Sequence, residues 1–366
     1  MLFDPRPKNS RKDLFDREEE LEELKKAVRR YPIVLLLGIR RVGKSSLLKV
    51  ALNELENGIY IDVRELYFSS GGWITVDSLT NALERALNSL KPSFRRKITE
   101  ALRSVKGVTV AGVTLKFESR VSLPDVLNAL NDVGVIMAFD EAQYLRYYGA
   151  RGGKEFLAMV AYAYDNLENM RFVFSGSEVG SLHDFLGTAN YDSPLYGRVY
   201  GEITVKPFSR ELSREFFRRG FEEAGMKVEE KLIERTVELL DGIPGWLVEF
   251  GYNYIETRDF DRAMESVILK AEKFMEGELR ELARRSERYI LILKAIAMGF
   301  DRWELIKDYL EARSGKIPNP RLANLLRNLE KMSWIRKVYR DGTKRYEIVD
   351  PVVARILRKF SRQAGL

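Results

Sequence analysis

Residues 33–46 constrain the fold of this chain more than any other segment, because an apolar run leads directly into the pattern Gly-x-x-x-x-Gly-Lys-Ser. The run IVLLL predicts a buried strand, and the residues after the pattern are typical of a helix. Inward-pointing backbone N–H groups of such a loop, together with the positive end of the helix dipole, can surround phosphate oxygens. The segment therefore predicts a nucleoside triphosphate site, with the members Gly38, Ile39, Arg40, Arg41, Val42, Gly43, Lys44, Ser45 and Ser46.

Two side chains of this loop have distinct predicted roles. Lys44 is expected to reach the β- and γ-phosphates and to act in catalysis, and the Ser45 hydroxyl is expected to ligate Mg²⁺. Arg40 and Arg41 are less constrained by the pattern. They could contact phosphate, or either could simply face solvent.

A second apolar run, Val133–Phe139, ends in Asp140 and Glu141. The carboxyl ends of buried strands are where a magnesium–nucleotide complex binds in an open α/β sheet. We expect Asp140 to hold Mg²⁺, directly or through a water molecule, and Glu141 to polarise the attacking water as general base. An apolar run followed by two acids is also a common exit from a strand, but the upstream loop favours the functional interpretation.

Two further residues have positions that suit a nucleotide site. Ser175 directly follows the predicted strand Arg171–Phe174, where a polar side chain can orient water or the γ-phosphate, although Ser175 and Ser177 could equally cap the next helix. Arg198 lies in a loop before the last predicted strand, and an arginine can stabilise the charge of the phosphoryl-transfer transition state. A plain surface arginine is the alternative interpretation.

Composition excludes several classes of site. The chain has no cysteine and one histidine, so disulfides, thiol catalysis, cysteine-ligated zinc and histidine-rich metal sites are ruled out. No apolar run approaches the ~18 residues that a membrane span needs, and residues 1–10 lack the apolar stretch of a signal peptide. We therefore expect a cytoplasmic protein.

Alternating strands and helices predict an α/β fold: a mostly parallel, open P-loop NTPase sheet covered on both faces. From Ser209 the pattern is helical, and the tail gives three helices followed by a hairpin with Asp341-Gly342 at its turn, the order of a winged helix. We expect an ATPase core over residues 1–208, an α-helical lid over 209–285 and a winged helix over 286–366. The predicted strands and hairpin span Gly58–Arg64, Val108–Phe117 (turn Ala111-Gly112), Val133–Phe139, Arg171–Phe174 and Gly201–Val205.

The tail is also the basic part of the chain. Residues 286–366 contain 18 Lys and Arg against 9 Asp and Glu, whereas the net charge of the rest is slightly negative. Such asymmetry suggests contact with nucleic acid, although winged helices also dock proteins and basic residues are common on surfaces. The expected contacts to duplex DNA are Arg321, Asn324 and Arg327 on the third helix and Arg336, Lys337, Arg340 and Lys344 on the wing.

Seven motifs in fixed order resemble those of the archaeal P-loop ATPase family, which is related to AAA+ and STAND NTPases. Along the chain they are FDREEELEEL, GIRRVGKSS, AFDEAQ, FVFSGSE, PLYGR, KPFSREL and DGIPGWL. The resemblance implies ATP as the nucleotide, an α-helical lid, and a Walker B strand separated from the P-loop strand. It also implies that Phe15 and Arg17 lie near the adenine, that Ser175 is a sensor 1 residue, that Arg198 is an arginine finger and that Pro244 packs on the base. Pro244 stands where AAA+ proteins carry a sensor 2 arginine, which makes nucleotide-driven lid closure less expected than nucleotide binding.

These patterns together lead to one functional hypothesis and one alternative. The first is a slow Mg²⁺-dependent ATPase that acts as a switch on a DNA-binding winged helix. The alternative is an ATP-gated protein-interaction scaffold of the STAND kind, with little turnover and no DNA binding. A homo-oligomer or a protein partner is compatible with both, and no membrane partner is expected.

Overall fold

A computed structural model describes residues 1–118 and 121–363. The chain forms two compact units, and one of them, which we call the N-terminal unit, contains Pro7–Gly38 and Gly43–Val205. The other, which we call the C-terminal unit, contains Met1–Arg6, Ile39–Val42 and the chain from Lys206 onward. The middle of the phosphate loop therefore groups with the C-terminal unit, while the glycines on either side of it group with the N-terminal unit.

The N-terminal unit is an α/β structure. Its strands are β1 (Ile33–Leu37), β2 (Gly58–Asp62), β3 (Val108–Ala111), β4 (Thr114–Phe117), β5 (Ile136–Asp140), β6 (Arg171–Gly176) and β7 (Gly201–Thr204). Its helices are α1 (Glu18–Arg30), α2 (Lys44–Leu55), α3 (Val63–Ser69), α4 (Val76–Asn88), α5 (Pro92–Leu102), α6 (Leu123–Val133), α7 (Lys154–Asn166) and α8 (Val179–Leu186). Short 3₁₀ helices span Arg11–Asp13 and Ala142–Tyr147.

Five of these strands form a parallel sheet in the order β2-β5-β6-β1-β7. All residues of β1 and β5 are buried, as expected for strands whose two faces are covered by helices. The predicted open parallel sheet is confirmed. So is the separation of the Walker B strand from the P-loop strand, because β6 lies between β5 and β1.

The register of the sheet brings the functional segments to one edge. Asp62 pairs with Asp140 across β2 and β5, and Leu36 pairs with Ser175 across β1 and β6. Because all five strands are parallel, their carboxyl ends meet at the same edge. Gly43, at a φ of 104°, is the last residue of the phosphate loop before α2.

Several predicted boundaries differ from the structure for local reasons. Strand β2 ends at Asp62 rather than at residue 64, because the Asp62 carboxylate accepts the N–H of Glu65 (2.9 Å) and caps α3. Strand β5 begins later than predicted, because α6 continues to Val133 and ends at Gly134 with a φ of +74°. The hairpin turn is Gly112-Val113, not Ala111-Gly112, since Ala111 pairs with Thr114.

The C-terminal unit is mostly helical. Its helices are α9 (Arg210–Glu223), α10 (Glu230–Leu240), α11 (Pro244–Thr257), α12 (Phe260–Arg285), α13 (Glu287–Ala297), α14 (Trp303–Ser314), α15 (Asn319–Lys331) and α16 (Pro351–Gln363), and its strands are β8 (Ile335–Arg340) and β9 (Thr343–Ile348). The predicted turn is present: Asp341 and Gly342 have φ values of 51° and 71°, which suit a two-residue hairpin. Helices α13–α15 followed by this hairpin form the predicted winged helix.

Within residues 1–118 and 121–363, no helix is both long enough and apolar enough to cross a membrane.

Candidate functional site

The phosphate loop joins β1 to α2, as its sequence predicts. Gly38 (φ 153°) and Gly43 (φ 104°) adopt left-handed conformations that residues with a side chain rarely adopt. Lys44 is the first residue of α2 and is buried. The Ser46 hydroxyl accepts a hydrogen bond from the backbone N–H of Lys8 (3.0 Å), so the segment before α1 is attached to the start of α2.

Asp140 is the centre of a buried polar cluster. Its Oδ2 accepts hydrogen bonds from the Ser45 hydroxyl (2.6 Å) and from the Tyr60 hydroxyl (2.7 Å). The two residues predicted to ligate Mg²⁺ are therefore in direct contact. Burial, followed by the Asp140 carboxylate, raises the pKa of Tyr60 above its ordinary value, so the phenol remains a hydrogen-bond donor. Burial likewise raises the pKa of Asp62, and the charge of Asp140 acts in the same direction.

Glu141 is held in a defined orientation. Its backbone has a φ of +51°, which is unusual for a residue with a side chain and is often found where function requires it. Its Oε2 accepts hydrogen bonds from the Ser177 hydroxyl and from Gln143 Nε2, each at 2.6 Å. Gln143 and Ser177 are themselves buried, so the carboxylate is fixed by groups that have little freedom.

Ser175 and Ser177 differ in what they contact. The Ser175 side chain is fully buried, and its hydroxyl has no hydrogen-bond partner among the described residues. Ser177, just after β6, contacts Glu141 directly. The sensor role of Ser175 stays a prediction, but Ser177 is the serine that can respond to changes at Glu141.

Replacing Ser177 with alanine is expected to lower the predicted ATP turnover by between about tenfold and 10²-fold, because Glu141, the predicted general base, would lose its alignment with the attacking water. Nucleotide affinity should stay close to the original value, since Ser177 is not in the phosphate loop. Steady-state ATP hydrolysis and equilibrium nucleotide binding measure the two effects separately. Ser181→Ala, which removes a hydroxyl from α8, is the matched control. Turnover in Ser177→Ala equal to that in Ser181→Ala would contradict this assignment.

Arg198 is engaged within the N-terminal unit. Its Nε donates to Asp165 Oδ1 (3.2 Å), its Nη1 donates to the Pro194 carbonyl, and its guanidinium lies 5.5 Å from the ring centroid of Tyr164. None of these partners is a predicted site residue. A finger role for Arg198 therefore requires the ion pair with Asp165 to open, and it stays a prediction.

The residues predicted to lie near the base are found in both units. Phe15 is half-buried, and Arg17 is buried with its guanidinium 2.6 Å from Glu20. Pro244 is the first residue of α11 in the C-terminal unit, where its fixed φ suits a helix start. Their contacts with adenine stay predictions.

The loop arginines do not simply face solvent. Arg40 Nε lies 3.1 Å from Glu278 Oε1, and the Arg41 guanidinium lies 3.8 Å from the ring centroid of Trp246. Ile39 between the glycines is half-buried, and Val42 is fully buried. Sequence reasoning gave no indication of either arginine's partner.

The predicted DNA contacts fall into two groups. Arg321, Asn324 and Arg327 are exposed and lie on the face of α15 opposite its buried leucines. The wing cations are mostly paired instead, with Arg336 and Arg340 bound to Glu347 and Lys337 bound to Glu330. Lys344 is exposed, and its ammonium lies 5.4 Å from the ring centroid of the buried Tyr346. The helix therefore offers more available positive charge than the wing.

Sequence reasoning assigned no role to Tyr60 or Gln143. Tyr60 lies on β2 two residues before the strand end, with its side chain directed at the Walker B carboxylate. Gln143 follows Glu141 by two residues and is buried in the structure. An amide so close to two acids was the one indication in the sequence that it belongs to the site. Both become visible once β2, β5 and β6 are placed side by side.

The chain is similar to two described protein families and to several solved structures. Residues 14–250 match a family described as an ATPase domain predominantly from Archaea, and residues 283–349 match the C-terminal winged helix-turn-helix domain of MCM proteins. The solved structure of the Walker-type ATPase PABY2304 of Pyrococcus abyssi is 52% identical, with a TM-score of 0.87 over 98% of this chain and 100% of that chain.

Two more distant proteins also match nearly the whole chain. Protein MJECL04 of Methanocaldococcus jannaschii is 25% identical over 348 residues, which cover 93% of this chain and 67% of that protein. The ORC2 protein of Aeropyrum pernix, solved in ADPNP–ADP complexes, has a TM-score of 0.62 at 14% identity, covering 100% of this chain and 98% of that chain. This last likeness is one of fold alone.

Proposed function

We propose that this chain, which belongs to the family of ATPase domains found predominantly in Archaea, hydrolyses ATP with Mg²⁺. Its nucleotide state would control a DNA-binding winged helix. One observation carries the proposal: the Ser45 hydroxyl lies 2.6 Å from the Asp140 carboxylate, directly beside Glu141. Phosphoryl transfer to water requires a phosphate loop with a metal-binding hydroxyl, a metal-binding carboxylate and a general base. Here Ser45 follows the loop, and Asp140 and Glu141 stand at the end of β5.

The donor set of the site fits Mg²⁺. Ser45 and Asp140 supply the hydroxyl and carboxylate oxygen atoms that this ion prefers, and their contact shows that both groups lie at one place. When bound, Mg²⁺ would neutralise charge on the phosphate oxygens. Tyr60 keeps the Asp140 carboxylate oriented by its hydrogen bond.

The protein's own groups would do the remaining work. Lys44 and the loop amides bind the β- and γ-phosphates, while Glu141 accepts a proton from the water that attacks the γ-phosphate in line. Ser177 and Gln143 keep the Glu141 carboxylate in place. Ser175 is proposed as a sensor, and Arg198 as a finger for its own or a neighbouring subunit. Phe15 and Arg17 are proposed to lie near the adenine, and Pro244 is proposed to pack on the base.

The domain division at residues 208 and 285 is part of this proposal. The core over 1–208 would bind nucleotide, the lid over 209–285 would respond to it, and the winged helix over 286–366 would carry the response to DNA. The lid includes α12, a helix of 26 residues that leads directly into the winged helix.

Duplex DNA is proposed to bind the face of α15 that carries Arg321, Asn324 and Arg327. Neither of these arginines has a carboxylate within ion-pair distance among the described residues, so their charge is available to phosphates and base edges. The wing contributes less charge, since Glu347 and Glu330 neutralise part of it.

Reversing the charge of this face with Arg321→Glu and Arg327→Glu is expected to weaken binding to duplex DNA roughly tenfold for each of the two arginines. The salt dependence should also become shallower by about one unit of slope for each arginine that binds a phosphate. Fluorescence anisotropy with labelled duplex across a salt series measures both effects. The matched control is Lys97→Glu with Arg103→Glu, which makes the same charge change in the region of α5, and its DNA affinity should change far less.

The ion pairs on the wing favour one alternative, an ATP-gated scaffold whose winged helix binds a protein. The scaffold predicts that ATP binds with negligible turnover, that DNA binding is weak, and that the α15 variant and the α5 control behave alike. ATP hydrolysis measured with and without duplex DNA, together with the salt series, separates the two functions.

A further inference from the structure

The two arginines inside the phosphate loop contact several side chains of the C-terminal unit. The Arg41 guanidinium is 3.8 Å from the ring centroid of Trp246 and 4.5 Å from that of Phe274. Arg41 also has a φ of +66°, so its backbone is held in a conformation that a residue with a side chain seldom adopts. Two aromatic rings therefore lie within cation–π distance of one guanidinium.

The backbone of Arg41 is held as well. Its carbonyl accepts a hydrogen bond from the N–H of Gly245 (3.0 Å), in the first turn of α11. A Cβ atom on Gly245 would lie 2.8 Å from the Arg41 Cβ, closer than such atoms approach each other. The loop and α11 can therefore meet at this distance because position 245 is glycine.

Trp246 uses its ring and its N–H group for different partners. While the ring faces Arg41, the indole Nε1 donates to Asp350 Oδ2 at 2.8 Å. The other oxygen of Asp350 accepts the backbone N–H groups of Val352 (2.9 Å) and Val353 (3.3 Å), which begin α16. Burial raises the pKa of the Asp350 carboxyl, while the bond from Trp246 and the charge of Arg41 act in the opposite direction.

Arg40 makes a second connection of the same kind. Its guanidinium pairs with Glu278 on α12 (3.1 Å) and lies 5.5 Å from the ring centroid of Trp334, a buried residue just before β8. Consecutive residues of the phosphate loop thus contact α11, α12 and the winged helix. The loop cannot change its conformation without changing these contacts.

We propose that Trp246 is a positioning residue for the phosphate loop: it holds Arg41 with its ring and, through Asp350, links the loop conformation to the start of α16. The inference rests on the proposed function, because the ligand that changes the loop is a nucleoside triphosphate. Coupling of this kind is reciprocal. ATP binding should therefore change the hydrogen exchange of the α16 amides, and removing the contacts of Trp246 should change the affinity for ATP.

Three variants separate the two contacts of Trp246. Trp246→Phe keeps an aromatic face for Arg41 but removes the N–H that binds Asp350, whereas Trp246→Leu removes both. Arg41→Lys keeps the charge but removes the planar guanidinium that lies on the ring. Arg313→Lys is the matched control, since the Arg313 guanidinium also lies 3.8 Å from a ring centroid, that of Tyr309, within the winged helix.

Two measurements on the full-length protein test the inference: the affinity and KM for ATP, and hydrogen exchange of the α16 amides with and without ATP. In the original protein, ATP should change α16 exchange by about fivefold or more. Trp246→Leu and Arg41→Lys should raise the KM for ATP by roughly tenfold with a smaller change in kcat. Trp246→Phe should keep more of the affinity than Trp246→Leu, but its α16 amides should no longer respond to ATP.

The inference is overturned if Trp246→Leu and Arg41→Lys bind ATP as the original protein does, or if Arg313→Lys weakens ATP binding to the same extent. It is also overturned if α16 exchange in the original protein does not respond to ATP that is bound. A failure of the original protein to bind ATP at all has a different meaning, because it refutes the proposed function first. Since Arg41 lies in a loop, its lysine variant should fold even if Trp246→Leu does not.

Discussion

Replacing Glu141 with glutamine is expected to lower the rate of ATP hydrolysis by about 10²–10⁴-fold, the range that general acid–base catalysis contributes. Glutamine has the shape of glutamate and keeps an oxygen that can accept the hydrogen bonds from Ser177 and Gln143. It cannot take a proton from water, however. ATP binding should persist, because the phosphate loop and Asp140 are unchanged.

Single-turnover hydrolysis and equilibrium ATP binding measure these two expectations independently. Glu168→Gln is a suitable control, since Glu168 is an exposed carboxylate of the same unit that lies outside the site. Undiminished hydrolysis in Glu141→Gln would mean that another group activates the water. Failure of the same variant to bind ATP would mean that Glu141 supports the structure of the loop rather than the chemistry.

The sequence was sufficient to predict the parallel sheet and which segments form its strands, although several strand ends differ from the prediction. Apolar runs that lead into Gly38 and into Asp140 are visible without coordinates, because burial on both faces of a parallel strand leaves a continuous hydrophobic segment. The glycine loop and the acidic residues that follow these runs indicate that the carboxyl ends of the strands form the site. The strand order came from resemblance to a family, not from these runs.

The hydrogen bonds that orient the acidic residues of the site could not be predicted from the sequence. Ser177 and Glu141 are 36 residues apart, and Tyr60 and Asp140 are 80 apart, so no local pattern connects them. Sequence analysis also singled out Ser175, which directly follows the apolar run, rather than Ser177. Which of the two serines contacts Glu141 depends on where β6 ends, and strand ends are the least certain part of a pattern.

The loop arginines show a different limit. Between the two glycines, any residue satisfies the pattern of a phosphate loop, so Arg40 and Arg41 have no assigned partner there. Their partners Glu278 and Trp246 lie more than 200 residues away, on helices that sequence reasoning placed in a lid without specifying their faces. The same loop therefore has two predicted functions, binding of phosphate and attachment to the C-terminal helices.

Replacing Lys44 with alanine tests the site itself, and it is expected to weaken ATP binding by about 2–5 kcal/mol, which is roughly thirtyfold to several-thousandfold in affinity. Lys44 is buried at the start of α2, so its ammonium is where a desolvated charge can meet the β- and γ-phosphates. Alanine is a good helix former, so α2 should persist. Isothermal titration with ATP and Mg²⁺ measures the change in affinity.

The matched control is Lys97→Ala, which removes an exposed lysine from α5 in the same unit and should leave affinity unchanged. Hydrolysis should fall with binding in Lys44→Ala, in contrast to Glu141→Gln, where binding persists. This difference follows from the two roles: Lys44 contributes to the ground-state complex, whereas Glu141 acts on the attacking water. Full ATP affinity and turnover in Lys44→Ala would refute the assignment of the nucleotide site to this loop.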